Sequence, residues 1–227
     1  MLTRRTAIVT GGSRGLGLAL VHGLAGSGWN VVTDARDANS LRAAIAGLDH
    51  VVGLPGDLTG AAHRVALVEA AVTLGGQVDL VVNNAGGLGP SPLPSLADVP
   101  LDALAALFDV NVVAPLGLIQ DVLPHLSTEA VVVDITSDAA VEAYEGWGVY
   151  GATKAALDHI GKVLAVERPD LRVLTVDPGD LRTAMHQAAF PGEDISDRPL
   201  PETVVPAFLA LIDGPERAGR HRLAEAS

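Results

Sequence analysis

The sequence predicts an α/β fold: a doubly wound parallel sheet of about seven strands, flanked by helices on both faces. Three observations carry this. Short runs rich in Val and Ile recur along the chain, segments with a helical apolar period separate them, and the two alternate regularly. The 227 residues are 48% apolar and 19% charged, enough for a large core and too apolar for a disordered chain. Aromatic residues are only 3%, so that core is expected to be Ala, Val, Leu and Ile. The length suits one domain, residues 1–227.

The expected strands are Thr6–Thr10, Asn30–Asp34, His50–Leu54, Asp79–Val82, Ala130–Ile135 and Leu171–Val176. Continuous apolar runs of this kind read as strands buried on both faces of a parallel sheet. The expected helices are Leu16–Ala25, Ser40–Leu48, Ala61–Leu74, Leu101–Leu123 and Tyr150–Glu167. In the last, Leu157, Ile160, Leu164 and Glu167 step by three or four, with the apolar members on one stripe. Gly86–Pro100, with four prolines and three glycines, is expected to be a loop. Thr183–Pro201 is also Pro-rich and reads as a substrate flap.

Fifteen Lys and Arg stand against 27 Asp and Glu, a formal charge of −12. Such an acid excess argues against nucleic acid or an anionic membrane surface as partner. The absence of cysteine excludes disulfides, thiol catalysis and thiolate metal sites. The seven histidines show no metal-ligand spacing, so no metal is expected. The first residues do not read as a signal peptide, and no apolar stretch long enough to span a bilayer is expected. Together these point to the cytoplasm.

The first strand runs into Thr10-Gly11-Gly12-Ser13-Arg14-Gly15-Leu16-Gly17, and a helix follows. Small residues at the C-terminal end of the first parallel strand let backbone approach a pyrophosphate, and the helix N-terminus offers free N–H groups. The placement predicts a dinucleotide site. The second strand ends Asp34-Ala35-Arg36, which offers both a carboxylate for a ribose 2′-OH and a guanidinium for a 2′-phosphate. Arg14, inside the turn, converges with Arg36 on the same region, and two forked donors suit a dianion. The expectation is NADP(H), with NAD(H) the alternative.

Tyr150 and Lys154 are four apart at the start of the most helical segment of the second half, so they share a face. A free phenol titrates near ~10, and a nearby ammonium favours the phenolate and so lowers that value. Ser137 follows the strand Ala130–Ile135, at an edge where parallel sheets place ligands, and its hydroxyl suits a substrate oxygen.

With these residues in view the chain resembles the short-chain dehydrogenase/reductase family, in its shorter single-domain branch with a Rossmann-like sheet. The resemblance rests on Thr10-Gly11-x-x-x-Gly15-x-Gly17, Asp57, Asn83-Asn84-Ala85-Gly86, Ser137 with Tyr150-x-x-x-Lys154, and Pro178-Gly179, and it spans nearly the whole chain. It implies an enzyme that interconverts a carbonyl and a secondary alcohol by hydride transfer. It implies Tyr150 as general acid or base, Lys154 as binder of the nicotinamide ribose and depressor of the tyrosine pKa, and Ser137 as holder of the substrate oxygen. Asn111 matches the asparagine that interrupts a helix and anchors a proton-relay water. For the cofactor it implies Gly11, Ser13, Arg14, Gly15, Leu16 and Gly17 at the phosphates, and Arg36 at the 2′-phosphate. Asp57 and Leu58 would meet the adenine, Asn83, Ala85 and Gly86 the adenosine ribose, and Pro178, Gly179 and Thr183 the nicotinamide end, beside Tyr150 and Lys154. In the family's alignment the NAD-type aspartate position is Ala35, one residue after Asp34.

Asp134 and Asp177 depart from the family, which more often has neutral residues there; both are expected to bond backbone near strand ends. The C-terminus is short, with Gly219–Leu223 left for a seventh strand. Leu101–Leu123 and Tyr150–Glu167 correspond to the family's four-helix contact, so a homodimer is expected, with a homotetramer as the alternative. The crevice is expected at Leu88, Asp138, Tyr144, Trp147, Asp180, Met185, His186 and Phe190, which suits an apolar or mixed carbonyl or alcohol substrate better than a strongly anionic one. A non-catalytic dinucleotide-binding regulator is the alternative from another functional class; reduction of an enoyl thioester is disfavoured by the short Tyr150–Lys154 spacing.

Overall fold

The computed structural model describes residues 4–216 and 218–223. Seven parallel strands form one sheet in the order β3-β2-β1-β4-β5-β6-β7. They are β1 (Thr6–Val9), β2 (Asn30–Ala35), β3 (Val51–Pro55), β4 (Val78–Asn83), β5 (Leu126–Ile135), β6 (Arg172–Asp177) and β7 (Ala218–Arg222). The order reverses between β1 and β4, and at such a switch point the strand ends diverge to leave a crevice. The helices are α1 (Gly15–Gly26), α2 (Ala38–Ala44), α3 (Ala61–Gly75), α4 (Leu101–Phe108), α5 (Ala114–Val122), α6 (Gly148–Glu167), α7 (Ala184–Ala189) and α8 (Val205–Asp213).

Alternation along the strands feeds two cores. Ala7, Val9, Val31, Leu80 and Val82 face one side, where they join Leu20 and Leu24 of α1 and Phe208 and Ile212 of α8. Ile8, Val32 and Val81 face the other, with Leu67 and Ala71 of α3 and Leu118 and Val122 of α5. Burial on both faces explains why these strands read as unbroken apolar runs. The outer strands are less buried: β3 is half-buried along most of its length, and β7 is largely exposed.

Three expectations need correction. The helix expected over Leu101–Leu123 is broken by a π-helical turn, Asp109–Val113, which separates α4 from α5. The helix expected at Ser40–Leu48 starts earlier, because Asp37 caps it by accepting the Ser40 N–H at 2.7 Å. It also stops earlier, where tight turns lead into Gly47 at φ +78°. The flap segment holds α7, whose N-cap Thr183 accepts the His186 N–H at 3.1 Å. Finally, the helical run Leu101–His125 has the length and apolar composition of a membrane span, contrary to expectation. Its buried residues Leu107, Val112, Leu118, Ile119 and Val122 pack inside the fold.

Candidate active site

The glycine turn after β1 is built for close approach. Gly11 (φ +74°) and Gly15 (φ +57°) occupy conformations that favour glycine. A Cβ on Gly17 would stand 2.3 Å from the Gly11 carbonyl oxygen. Arg14 precedes α1 without a side-chain cap, so the first N–H groups of the helix are left for a ligand. Thr10 Oγ1 accepts from the Asn84 and Ala85 N–H groups at 3.0 and 2.9 Å, and Asn84 Nδ2 donates to the Thr10 carbonyl at 2.8 Å. The turn is thereby tied to the loop after β4. A backbone cradle open at a helix N-terminus fits a dinucleotide pyrophosphate. Gly11, Ser13, Arg14, Gly15, Leu16 and Gly17 are the residues that would hold it.

Asp34 is 3% exposed, and both carboxylate oxygens are engaged. Oδ1 accepts the Gly11 N–H at 2.7 Å, and Oδ2 pairs with His63 Nε2 at 3.1 Å. Burial pushes its carboxyl up, against these two partners. Arg14 and Arg36 are both exposed at the same end of the sheet. Asp57 Oδ1 accepts from the Thr59 N–H and hydroxyl, which hold its carboxyl below its usual value. Arg64, which sequence reasoning missed, fixes this loop by donating to the Leu58 and Thr59 carbonyls, each at 3.0 Å.

Asn111, Ser137, Tyr150 and Lys154 come together at the C-terminal ends of β4 and β5. Asn111 sits in the π turn, where the extra residue aims its side chain inward, and it is 1% exposed. Its Oδ1 accepts the Gly87 N–H at 2.8 Å; its Nδ2 donates to the Gly87 carbonyl and to Thr153 Oγ1. Thr153, a second residue missed by sequence reasoning, passes the link on by donating to the Tyr150 carbonyl at 2.7 Å. Gly86 lies between them: a Cβ there would be 3.1 Å from Asn111 Oδ1 and 3.8 Å from Lys154 Nζ. Gly151 lets α6 close on the turn after β5, because a Cβ there would stand 2.5 Å from the Ala139 carbonyl oxygen. Tyr150 is thus brought to Ser137, whose Oγ donates to Asp138 Oδ1 at 3.0 Å and accepts the Ala139 N–H.

The Lys154 ammonium lies 5.7 Å from the Tyr150 ring centroid and donates to the Ile135 carbonyl at 2.8 Å. Burial pushes this lysine down to about 8, against the pull of Asp134 and Asp158. The expected depression of the phenol is not seen in the protein alone. Burial pushes Tyr150 up to about 12; the Ser137 hydroxyl opposes this, and Asp138 and Asp177 add to it. The phenol is enclosed at 8% exposure, and desolvation of a phenolate outweighs a cation more than 5 Å away.

Asp134, fully buried, corrects another expectation, for its partner is a side chain: Asn83 Nδ2 donates to Oδ1 at 2.7 Å. Its Oδ2 has no partner among the described residues, and burial pushes the carboxyl up to about 6. Asp177 does bond backbone, accepting the Gly179 N–H at 3.0 Å, which shapes the Pro178–Gly179 turn. Thr183 reaches the glycine turn, since a Cβ on Gly15 would meet its methyl at 3.5 Å.

Of the expected crevice residues, Leu88, Trp147 and Phe190 cluster with Tyr150. Trp147 packs edge-on against Tyr150 at 5.6 Å between centroids, and Phe190 lies 5.9 Å from Trp147. His186 stacks on Phe190 at 4.9 Å. Tyr144 donates to Asp138 Oδ2 at 3.1 Å, while Asp180 and Met185 are exposed.

The family described as short chain dehydrogenase matches residues 5–194 of this chain. A short-chain dehydrogenase/reductase, SDRA, of Arabidopsis thaliana is 35% identical over 195 residues, covering 83% of this chain and 75% of the relative. An L-fucose dehydrogenase of Mus musculus is 33% identical over 184 residues, 80% of this chain and 67% of the relative. Among solved structures, a short chain dehydrogenase from Shigella flexneri complexed with NADP superposes with a TM-score of 0.87 at 28% identity, covering 97% of each chain. The glycine turn, the switch-point crevice and these matches agree: the chain belongs to the short-chain dehydrogenase/reductase family, enzymes that act on CH–OH and C=O groups with NAD(P).

Proposed function

We propose that this protein is an NADP(H)-dependent reductase of carbonyl compounds, working in reverse on secondary alcohols, with Tyr150 as its general acid and base. The observation that carries this is the meeting of Asn111, Ser137, Tyr150 and Lys154 beside the glycine turn. When bound, the nicotinamide supplies the hydride to the carbonyl carbon, or takes it back from the alcohol. In reduction the Tyr150 phenol gives its proton to the carbonyl oxygen, and the Ser137 hydroxyl holds that oxygen by a hydrogen bond. The phenolate left behind faces the Lys154 ammonium, which stabilises it until a proton returns. Asn111 and Thr153 fix the first turns of α6 and thus the Tyr150–Lys154 pair.

The preference for the phosphorylated cofactor is supported by Asp34. Its two oxygens serve Gly11 and His63, so it is no ribose ligand, whereas Arg14 and Arg36 stand exposed beside it. The NADP bound to the Shigella flexneri relative supports the same reading. Leu88, Trp147 and Phe190 favour an apolar or mixed ketone, and Asp138, Glu142 and Asp180 around Tyr144 disfavour a strongly anionic one. Val113, Val163 and Val166, exposed by 57%, 40% and 81%, offer an apolar contact for a second copy along the π turn and α6, which supports a homodimer.

Tyr150→Phe tests the reading, with benzil as the probe carbonyl and NADPH oxidation as the signal. Turnover is expected to fall by about 10²-fold or more, with NADPH affinity unchanged. Turnover near the wild-type rate in that variant would overturn it.

A further inference from the structure

Arg220 is the charged side chain that links the seventh strand to the site. It lies on β7, paired with Thr175 of β6, and its side chain is 24% exposed. Its guanidinium reaches three elements. Nη2 donates to the Ser137 carbonyl at 2.7 Å and to Asp177 Oδ2 at 3.3 Å, while Nε donates to Asp158 Oδ2 of α6 at 3.2 Å. Asp158 and Asp177 are 4% and 2% exposed, so each carboxylate depends on a countercharge for its burial. A planar fork with several donors can meet all three acceptors, which one ammonium cannot. Gly219, at φ +137°, gives the strand the backbone it needs just before the arginine.

These contacts bear on both sides of the reacting centre. The Ser137 carbonyl belongs to the residue whose hydroxyl would hold the substrate oxygen. Asp177, gripped through Oδ2, uses Oδ1 to accept the Gly179 N–H at 3.0 Å, in the turn that would meet the nicotinamide. We propose that Arg220 is a positioning residue for the reaction assigned above: from β7 it fixes Ser137 and, through Asp177, the Pro178–Gly179 turn in one mutual geometry. This rests on the proposed function for its catalytic consequence, and on the hydrogen bonds alone for the clamp. The arginine also balances charge. Tyr150 faces Lys154 from its own helix, Asp138 from the turn after β5 and Asp177 from the end of β6. Lys154 faces Asp134 of β5 and Asp158 of its own helix. Removal of the Arg220 charge leaves Asp177 unopposed and Asp158 opposed by Lys154 alone, which favours the protonated forms of both Lys154 and Tyr150.

The test compares wild type, Arg220→Gln and Arg220→Lys by amide hydrogen exchange, by benzil reduction across pH, and by binding of 2′,5′-ADP, which probes only the adenosine end. In Arg220→Gln the Ala139 and Gly179 amides are expected to exchange about tenfold faster or more, while the Gly11 amide, held by Asp34, stays as in wild type. Turnover is expected to fall by about tenfold, its alkaline limb to move to higher pH, and 2′,5′-ADP affinity to stay constant. Arg220→Lys keeps one charge without the fork and is expected to fall between the two; it carries the same test should Arg220→Gln not fold. Unchanged exchange at Ala139 and Gly179, or equal acceleration at Gly11, overturns the clamp. A wild type that neither binds 2′,5′-ADP nor reduces benzil overturns the proposed function instead, and the exchange result still decides the clamp.

Discussion

Asp34 accepts the Gly11 main-chain N–H at 2.7 Å, so the carboxylate at the end of β2 is part of the glycine turn itself. Its main-chain carbonyl accepts from Gly12 at 3.0 Å, a second tie between the same two segments. A carboxylate in that region of a dinucleotide fold otherwise selects a free ribose 2′-OH. Here it is enclosed and hydrogen-bonded to His63, and Arg14 and Arg36 are exposed at the same end of the sheet. In the proposed function, cofactor choice therefore rests on Arg14 and Arg36.

Arg36→Ala is expected to weaken NADPH by about tenfold to a hundredfold, as befits the loss of a charge-assisted pair, and to leave NADH within about twofold. Asp34→Ala should weaken both cofactors alike, because it frees the Gly11 turn. Titrations with each cofactor check this; selective loss of NADH in Asp34→Ala would contradict the assignment.

The pH dependence follows from two buried groups. In the mechanism proposed above, reduction needs a protonated Tyr150, raised to about 12, and is helped by a charged Lys154, lowered to about 8. Reductive turnover of benzil is therefore expected to be level near neutral pH and to fall as pH rises through about 8, where the ammonium discharges. Alcohol oxidation needs the phenolate, so it is expected to rise with pH over the same range. Reduction that accelerates into alkali would contradict this.

The fold was legible because burial on both faces writes each inner strand as an apolar run and each helix as a 3.6-residue stripe. What sequence reasoning missed has physical causes. The π turn at Asp109–Val113 keeps helical apolar spacing on both sides, so its extra residue is invisible to a pattern of apolar positions, and only the Asn111 motif of the family resemblance pointed to an interruption there. α8 went unassigned, although Pro206 in its first turn and the buried pair Phe208 and Ile212, four apart, are ordinary helix signals. The site residues were read from motifs at strand ends, but their support was not: Thr153, Arg64 and Arg220 act through contacts 3 to 83 residues apart in sequence. The charge environment was also hidden, since the depth that raises Tyr150 is a property of packing around Trp147 and Phe190.

Asp134→Asn tests the buried carboxylate. Its folded-state value near 6 lies above the usual 3.8, so the folded state holds this proton more tightly than the unfolded chain. The fold therefore loses stability as pH rises from about 3.8 through about 6, and the penalty is absent below that window. The two values differ by about 2 pH units, with the Lys154 attraction already included, which bounds the gain for Asp134→Asn near neutral pH at about 3 kcal/mol. Thermal melts across pH check it: the gain should vanish below about pH 4. Asp134→Asn should also lower the Lys154 value further, so the alkaline limb of reduction should move to lower pH.

The dinucleotide site is decided by titrating the purified protein with NADPH and with NADH, following the fluorescence of Trp147, which packs on Tyr150 at 5.6 Å. Saturable binding is expected, with NADPH favoured by about tenfold or more through Arg14 and Arg36. A preference for NADH, or binding of neither, would contradict it.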